Sequence, residues 1–411
     1  MNKVYANMTS LGLLQIANFL IPLLIIPIIT RVLGTAIFGQ VSYAQNIVSY
    51  LTLVVNYGFE YSATHQIAVA HDDKEQQRIF WSVVYSKIAL LFVSAIILLI
   101  LILSVERIGV DWRLYFYTAL INIGFVFFPT WYLQGIQDMQ KMAWINFVIK
   151  ALGALLVITL IHRAEQYHLY PLILSLSSIV VGIGAFIYVV KHYKIDLVPI
   201  DATTLKQTLA PGGVIFLNQV FVSLYTTVNF TLLGLYLSDG DLGIFSGAQR
   251  IILAANACVV LPVSTAIFPE MSRLYADNKE QAKALFRRVL AIAGAGSALV
   301  GGIIWILAPW IVRILLGTDF TASVPPLRMM AIIPCLVMVA TILTVQGLYG
   351  RGLQRYAPYI GAILAALCIG LNFILIPRIG TNGAIWAWIA AEICEIVLVS
   401  GILHKKRTCF T

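Results

Sequence analysis

Two stretches of the chain carry the same pattern of residues, IFGQVSYAQNI at positions 37–47 and DLGIFSGAQRI at positions 241–251. Identical residues recur at one constant offset, and the matched pairs are Gly39 and Gly243, Ser42 and Ser246, Ala44 and Ala248, Gln45 and Gln249, and Ile47 and Ile251. A second match, between LQGI at 133–136 and VQGL at 345–348, has nearly the same offset. The chain is therefore predicted to consist of two similar halves, residues 1–200 and residues 201–411.

The sequence between these motifs is mostly apolar. Hydrophobic residues make up 60% of the 411 positions and charged residues 11%, whereas a soluble domain has about 45–50% and about 25%. A helix needs about 20 apolar residues to cross a bilayer. Twelve runs satisfy this requirement, at residues 8–29, 41–63, 80–104, 113–134, 143–162, 169–190, 209–236, 249–269, 289–312, 326–349, 357–377 and 383–403. We therefore predict an all-α, polytopic membrane protein of about twelve transmembrane helices.

The matched motifs lie six spans apart, and this spacing determines how the halves are related. Because six is even, corresponding spans cross the membrane in the same direction. Parallel repeats of this kind occur in transporters, where an axis along the membrane normal relates two lobes around a site with alternating access. Transport by two parallel six-helix lobes with a central cavity is therefore the leading functional hypothesis.

The positive charges predict the orientation of the chain. The net charge is +9, and the loops on one side hold about twice as many lysines and arginines as those on the other, which marks the cytoplasmic side. Both termini are therefore expected in the cytoplasm, at a bacterial inner membrane. Because the charges are spread over short loops, no nucleic-acid partner is expected. The first apolar run is too long for a signal-peptide core and is expected to be retained.

Two lysines fall inside predicted spans, Lys87 in span three and Lys150 in span five. Each lies about seven residues from the predicted cytoplasmic end, on the order of 10 Å into the bilayer. An unpaired charge at the bilayer centre costs roughly 2.5–3.5 kcal/mol. Either these cations face the cavity, which suits an anionic substrate such as a phosphate, or their long side chains reach the headgroups. We favour the cavity.

Amide side chains are concentrated in the first two spans of each half. Those assigned to substrate binding are Gln15, Asn18, Gln45, Asn218 and Gln219. Hydrogen bonding between helices is an alternative role for amides in a membrane. The enrichment shared by both halves favours a polar cavity.

Carboxylates inside predicted spans are candidates for ion coupling. Glu392 and Glu395 are three residues apart in span twelve, so they lie on one face of the helix. They could hold a proton or Na⁺, or pair with a base on a neighbouring span. Glu60, which we place at the outer end of span two, is expected to form an ion pair with Arg31 at the outer end of span one.

No catalytic or metal-binding pattern is evident in the sequence. The six histidines lack the spacing of metal ligands, and the five cysteines form no CxxC pair. The phosphate-binding motif GxxxxGK[ST] does not occur. No enzymatic activity, metal or cofactor is therefore expected, apart from a coupling ion, H⁺ or Na⁺.

Several motifs, in order along the chain, carry a resemblance to a known family. They are TRVLGTAIFG at 30–39, NYGFEYSATHQIA at 56–68, IFWSVVYSK at 79–87, PTWYLQGIQDMQKM at 129–142 and AIFPEMSRL at 266–274. With them the chain resembles the lipid-linked oligosaccharide flippases of O-antigen and polysaccharide synthesis, in the multidrug/oligosaccharidyl-lipid/polysaccharide exporter superfamily. The resemblance implies flipping of undecaprenyl-diphosphate-linked repeat units from the cytoplasmic to the periplasmic leaflet. It implies as partners this lipid-linked oligosaccharide, the bilayer, a polysaccharide polymerase and a chain-length regulator.

The family pattern also points to individual residues. Arg31, Lys87, Arg250 and Glu392 fall where the family tends to place such side chains, whereas Lys150 and Asp138 depart from the pattern. The diphosphate is expected to contact Lys87 together with Lys150 or Arg31. A cation-coupled drug antiporter of the same superfamily, which would need acidic residues in its cavity, is one alternative. A membrane scaffold of a glycan-synthesis complex is another.

Overall fold

The computed structural model describes residues 2–138 and 140–407, with side chains from residue 24 onward apart from scattered positions. Within these ranges the chain is helical and contains no strand. The first nine helices are α1 (Asn2–Asn56), α2 (Phe59–Val69), α3 (Asp73–Ser104), α4 (Glu106–Val110), α5 (Trp112–Ala119), α6 (Ile121–Phe127), α7 (Thr130–Gly135), α8 (Gln140–Leu160) and α9 (Leu169–His192). The others are α10 (Ala202–Tyr236), α11 (Asp239–Asp277), α12 (Lys279–Leu315), α13 (Val324–Met330), α14 (Ile333–Thr341), α15 (Ala357–Ile379) and α16 (Thr381–Arg407), with a π-helical segment at Ile342–Tyr349.

Ten helical segments of the described chain are long and apolar enough to cross a membrane. A pair bent by 41°, Thr318–Met330 with Ile333–Tyr349, counts as an eleventh. The first candidate, Leu24–Val69, has 46 residues, which is roughly 70 Å of helix and more than twice the thickness of a bilayer core. It is interrupted at Gly34, whose φ of 67° and ψ of −178° lie in a region that essentially only glycine adopts. This break falls between predicted spans one and two, and the predicted all-helical, multi-span fold is confirmed.

Polar residues in the loops define where several spans begin. Asp72 accepts a hydrogen bond from the backbone N–H of Glu75 at 2.6 Å, ahead of α3. Asn278 does the same for the N–H of Gln281 at 3.1 Å, ahead of α12. Such caps satisfy backbone donors that have no partner within the helix, so these helix starts are determined locally.

The chain forms two compact units. The first comprises Met1–Leu33 and Tyr43–Val220, and the second comprises Gly34–Ser42 and Phe221–Thr411. The division falls inside α10, whereas the predicted boundary precedes that helix. The beginning of α10 belongs to the first unit because Phe216 stacks on Tyr57, with 5.0 Å between the ring centroids.

Each unit has its own hydrophobic core. In the first unit the fully buried rings of Phe59, Phe80 and Trp131 pack together, with 5.5 Å between the centroids of Phe80 and Trp131. In the second unit, Leu348 and Leu364 belong to a cluster of aliphatic side chains. The bilayer supplies no hydrophobic driving force between helices, so close packing of this kind is the main source of cohesion inside each unit.

The repeated motif is also a structural repeat within the second unit. A side chain at Gly39 would overlap the backbone of Asp239 and Gly243, and a side chain at Gly243 would overlap the carbonyl of Thr35. Thr35 and Asp239 occupy corresponding positions of the two motifs, as do Gly39 and Gly243. The contact is therefore reciprocal, and it explains why both copies carry glycine at this position.

Candidate functional site

Lys87 is the most deeply buried charged side chain of the described residues in the first unit, with 2% of its surface exposed. Its Nζ donates a hydrogen bond to the backbone carbonyl of Phe125 at 2.9 Å. In a continuous helix that carbonyl would accept from residue 129, but Pro129 has no N–H. Because Pro129 cannot donate, the Phe125 carbonyl at the end of α6 is available as an acceptor, and Lys87 on α3 donates to it.

Glu60 supplies the opposite charge. The backbone adopts positive φ at Tyr57 (47°) and Gly58 (78°), and α2 starts immediately afterwards. Glu60 lies in the first turn of α2, is exposed, and interacts electrostatically with Lys87. In the first unit, a long-range electrostatic attraction therefore acts between the start of α2 and the middle of α3.

This position corrects the predicted ion pair between Glu60 and Arg31. Glu60 follows the break at Gly34 by 26 residues of mostly helical chain, a rise of roughly 35–40 Å. The two side chains therefore lie at opposite ends of this segment. The prediction was wrong because it placed Glu60 at the end of span two that is nearer to Arg31, whereas Glu60 follows this helix at its other end.

The other predicted cations are less buried than Lys87. Lys150 is half-buried on α8, one turn after the buried Asn146. Arg31 is exposed. In the second unit, the Arg250 guanidinium donates to the Ser42 hydroxyl at 3.2 Å and lies 4.9 Å from the centroid of the Phe38 ring.

Three of the five amides that were predicted to bind substrate have side chains that the structure describes. Gln45, Asn218 and Gln219 are half-buried. Gln15 and Asn18 lie outside the residues whose side chains the structure describes. Lys87 and Lys150 lie on different helices, α3 and α8.

The carboxylates of span twelve lie inside the second unit. Glu392 is 6% exposed and accepts a hydrogen bond from the indole N–H of Trp388 at 3.1 Å. Glu395 accepts from the Thr344 hydroxyl at 2.8 Å. Among the described residues, no lysine or arginine contacts either carboxylate. The described part of the structure therefore does not contain the predicted alternative, a pair between one of these carboxylates and a base.

A buried polar cluster next to these carboxylates was missed as a site by the sequence analysis. Asn372 Nδ2 donates to Asn229 Oδ1 at 2.6 Å, and the Cys368 thiol donates to the same oxygen at 3.0 Å. Tyr225, one turn before Asn229, interacts electrostatically with both Glu392 and Glu395. The signal that could have revealed it is an asparagine in the middle of an otherwise apolar span, in both α10 and α15.

The cluster has unused hydrogen-bonding capacity. Asn229 Nδ2 and Asn372 Oδ1 are buried without a partner, and a buried polar group without a partner is rare. Thr344 lies in the π-helical segment, a type of irregularity that is frequent at functional sites. Two carboxylates one turn apart at an apolar depth cannot both stay ionised without a cation. The arrangement is suited to holding a proton or a monovalent cation.

One charged group outside the spans departs from the family pattern, Asp138. Its Oδ2 accepts a hydrogen bond from the Tyr193 hydroxyl at 2.7 Å. Burial, together with this bond, raises the pKa of Tyr193. Asp138 therefore ties the loop after α7 to the end of α9, which is a structural role.

Comparisons with known proteins agree with this architecture. The profile of the family described as "Polysaccharide biosynthesis protein" matches residues 4–275, and that of "Lipid II flippase MurJ" matches residues 185–411. A protein of Escherichia coli described as "Putative O-antigen transporter" is 27% identical, with 98% of each chain covered. A protein of Shigella dysenteriae with the same description is 24% identical and covers 96% of this chain and 98% of its own.

Solved structures show the same fold. An inward-facing multidrug resistance MATE family transporter superposes with a TM-score of 0.71 at 14% identity, covering 98% of this chain and 99% of the other. The lipid II flippase MurJ in an inward closed conformation gives 0.66 at 14% identity, covering 97% and 86%. Each family profile covers more than half of the chain, so the chain belongs to the polysaccharide biosynthesis protein family and, through its C-terminal part, to the lipid II flippase family, as the resemblance in its sequence predicted.

Proposed function

We propose that this protein moves a polyprenyl-diphosphate-linked oligosaccharide from the cytoplasmic to the periplasmic leaflet of a bacterial inner membrane by alternating access. The observation that carries the proposal is the unequal charge of the two units. Intramembrane cations lie in the first unit, where Lys87 is balanced by Glu60. Carboxylates without a basic partner lie in the second, among the described residues. The names of the curated relatives and of the matched families support lipid-linked saccharides as the substrate class.

In this proposal Lys87 has an indirect role. Its ammonium is buried against the Phe125 carbonyl and neutralises Glu60, whose carboxylate would otherwise repel a diphosphate. In the first unit, the less buried cations Lys150 and Arg31 are better placed to contact phosphate oxygens, and arginine does so in a bidentate manner. In the second unit, considered by itself, Arg250 is likewise only half-buried. The half-buried amides Gln45, Asn218 and Gln219 can donate to sugar hydroxyls.

The central experiment is deletion of the gene followed by complementation and sidedness analysis. Inverted and right-side-out membrane vesicles would be treated with a membrane-impermeant glycosidase, and the protected lipid-linked glycan measured. Deletion should leave the glycan accessible only on the cytoplasmic face, and complementation should restore access from the periplasmic face. Equal sidedness with and without the protein would refute the proposal.

We further propose that the buried cluster around Glu392 couples transport to an ion. Proteoliposomes with an imposed proton gradient or an imposed Na⁺ gradient distinguish the two ions. Acceleration by one gradient, lost in Glu392→Gln, would support coupling at this site. Acceleration that survives the substitution would assign coupling elsewhere.

The same carboxylates favour a second candidate, a cation-coupled drug antiporter, since a cationic drug needs acidic contacts. Efflux of a cationic dye from cells that carry the protein separates the two functions. Efflux that depends on Glu392 and Glu395, together with unchanged surface polysaccharide after deletion, would support the antiporter.

The orientation is proposed with both termini in the cytoplasm. Single cysteines introduced at exposed loop positions, such as Asp73 and Arg163, can be labelled with an impermeant maleimide in intact cells. Arg163 should react from outside and Asp73 should not. The reverse pattern would overturn the orientation.

A further inference from the structure

The part of α1 that follows the break at Gly34 has two faces of different character. One face is buried in the protein and consists of Ala44, Val48, Leu51 and Val55, each at most 3% exposed. These residues are four, three and four positions apart, a spacing that places them on one side of an α-helix. This apolar side of α1 packs inside the protein.

The opposite side of the same helix is polar and open. Ser49 is exposed, and Gln45, Asn46 and Asn56 are half-buried. Gln45 and Asn46 precede Ser49 by four and three positions, and Asn56 follows it by seven, so the four side chains share one face. We call these four residues the polar stripe. It extends roughly 16 Å along the helix axis, and the half-buried Leu53 lies among its members.

Helix α8 of the same unit also has an open face, but that face is apolar. Val148, Leu152 and Leu155 are each about half exposed and lie on one side of the helix. Hydrocarbon favours an apolar open face, whereas amides and hydroxyls turned toward hydrocarbon lose their hydrogen bonds to water. The polar stripe lies within the second predicted span and is therefore expected to border water, while the open face of α8 borders lipid.

The polar stripe carries no charge. No Asp, Glu, Lys, Arg or His occurs between Arg31 and Glu60 in the sequence, so the stripe presents amides and one hydroxyl. Each of these groups can donate and accept hydrogen bonds, as the hydroxyl groups of a sugar do. The Ser49 hydroxyl donates to the Asn46 carbonyl at 2.6 Å, and its oxygen can still accept. An acidic sugar would place a carboxylate here without a counter-charge, which is costly at low dielectric.

We propose that the polar stripe contacts the saccharide of the lipid-linked substrate and that this saccharide is uncharged. The inference rests on the proposed function, in which Lys150 and Arg31 contact the diphosphate, so that neutral groups remain for the sugars. It adds the class of saccharide, and it adds Asn46, Ser49 and Asn56 to the residues that contact it. Ser49 is the exposed residue at the centre of the stripe, so the contact is tested at this position.

The class of saccharide is tested by deletion of the gene and analysis of the polysaccharide whose export is lost. The repeat unit from the parent strain is hydrolysed, and its monosaccharides and substituents are determined. It should contain neutral sugars only, without uronic acids, free amino groups or phosphate substituents. An acidic repeat unit would overturn the inference and leave the proposed function standing. A deletion that changes no surface polysaccharide would reject the proposed function and, with it, the basis of this inference.

Contact with the stripe is tested by labelling Ser49→Cys with a hydrophilic maleimide in open membrane fragments, which the reagent reaches from both sides. Labelling above the wild-type level should be at least about tenfold faster than for Val148→Cys, because the reacting thiolate forms in water and not in hydrocarbon. Fragments from cells that make the lipid-linked saccharide are compared with fragments from cells that lack the glycosyltransferase for its first sugar. The saccharide should slow labelling of Ser49→Cys by about threefold or more, since an occupied stripe excludes the reagent.

Three labelling results would overturn the inference. A folded Ser49→Cys protein that reacts no faster than Val148→Cys would mean that the stripe does not border water. Labelling that is equally fast with and without the saccharide would mean that the saccharide does not contact the stripe. A disulfide-linked dimer of Ser49→Cys would mean that a second copy of the chain covers the stripe. If Ser49→Cys does not fold, Asn56→Cys, on the same face, decides.

Discussion

Removal of the Lys87 ammonium is expected to impair transport because Glu60 then stays uncompensated. Lys87→Met keeps the length of the side chain and its apolar part while deleting the charge. Three effects add up: loss of the hydrogen bond to Phe125, a carbonyl left without a donor because Pro129 has no N–H, and a Glu60 carboxylate without the nearby ammonium.

The magnitude follows from the burial of the pair. A hydrogen bond to a charged group contributes about 1.5–3 kcal/mol. Breaking a fully buried ion pair costs about 3–5 kcal/mol, but Glu60 is exposed, so its share is reduced by screening. The hydrogen bond alone, about 1.5–3 kcal/mol, corresponds to a loss in transport rate of about ten- to hundredfold if it raises the barrier by that amount, and the screened contribution of Glu60 adds to this loss.

The assay is flipping of a fluorescent lipid-linked saccharide in proteoliposomes, normalised to folded protein. The decisive variant is the double substitution Lys87→Met with Glu60→Gln, which restores charge balance without restoring the ammonium. It should transport faster than Lys87→Met, because the uncompensated Glu60 carboxylate is gone, but more slowly than wild type, because the hydrogen bond to Phe125 is still missing. Lys191→Met, at an exposed position at the end of α9, should behave as wild type.

Two outcomes would refute this reasoning. If the double variant is as inactive as Lys87→Met alone, the uncompensated Glu60 carboxylate does not cause the loss. If Lys87→Met flips at the normal rate, neither the hydrogen bond to Phe125 nor the charge balance with Glu60 matters for transport.

Three further predictions follow from the second unit. Gly39→Leu should abolish accumulation of folded protein, because the neighbours of Gly39 are backbone atoms that cannot move aside. The measurement is size-exclusion chromatography in detergent, and the control Gly401→Ala, which faces open space, should be tolerated. A folded Gly39→Leu protein would contradict the packing described for Gly39. Asn372→Leu should lower the free energy of unfolding by about 1–3 kcal/mol, because Asn229 loses its amide donor. A thermal unfolding scan should show a lower midpoint. An unchanged midpoint would mean that the buried cluster does not stabilise the fold. Glu392→Gln should make flipping insensitive to an imposed ion gradient while Glu392→Asp stays sensitive, and equal sensitivity in both variants would remove this carboxylate from coupling.

Much of the fold is already determined by local properties of the sequence. The length of each apolar run is enough to predict a span, because backbone groups in hydrocarbon must be satisfied within a helix. The repeated motif predicted two similar halves from residue identity alone, and the reciprocal packing of Gly39 and Gly243 gives that identity a physical cause. The structure breaks the first long helix at Gly34, which has a conformation accessible essentially to glycine only.

The partners of the buried polar groups were decided only by tertiary structure. Pro129 in the sequence implies that the carbonyl of Phe125 has no helical N–H donor. No local feature predicts that Lys87, 38 residues before Phe125, donates to this carbonyl. Asn229 and Asn372 are separated by 143 positions, and their bond depends on how α10 and α15 pack. The length of an apolar run is a property of one helix, so it can be determined from the sequence. The hydrogen-bond partner of a buried charge or amide depends on which helices pack against each other, so only the tertiary structure reveals it.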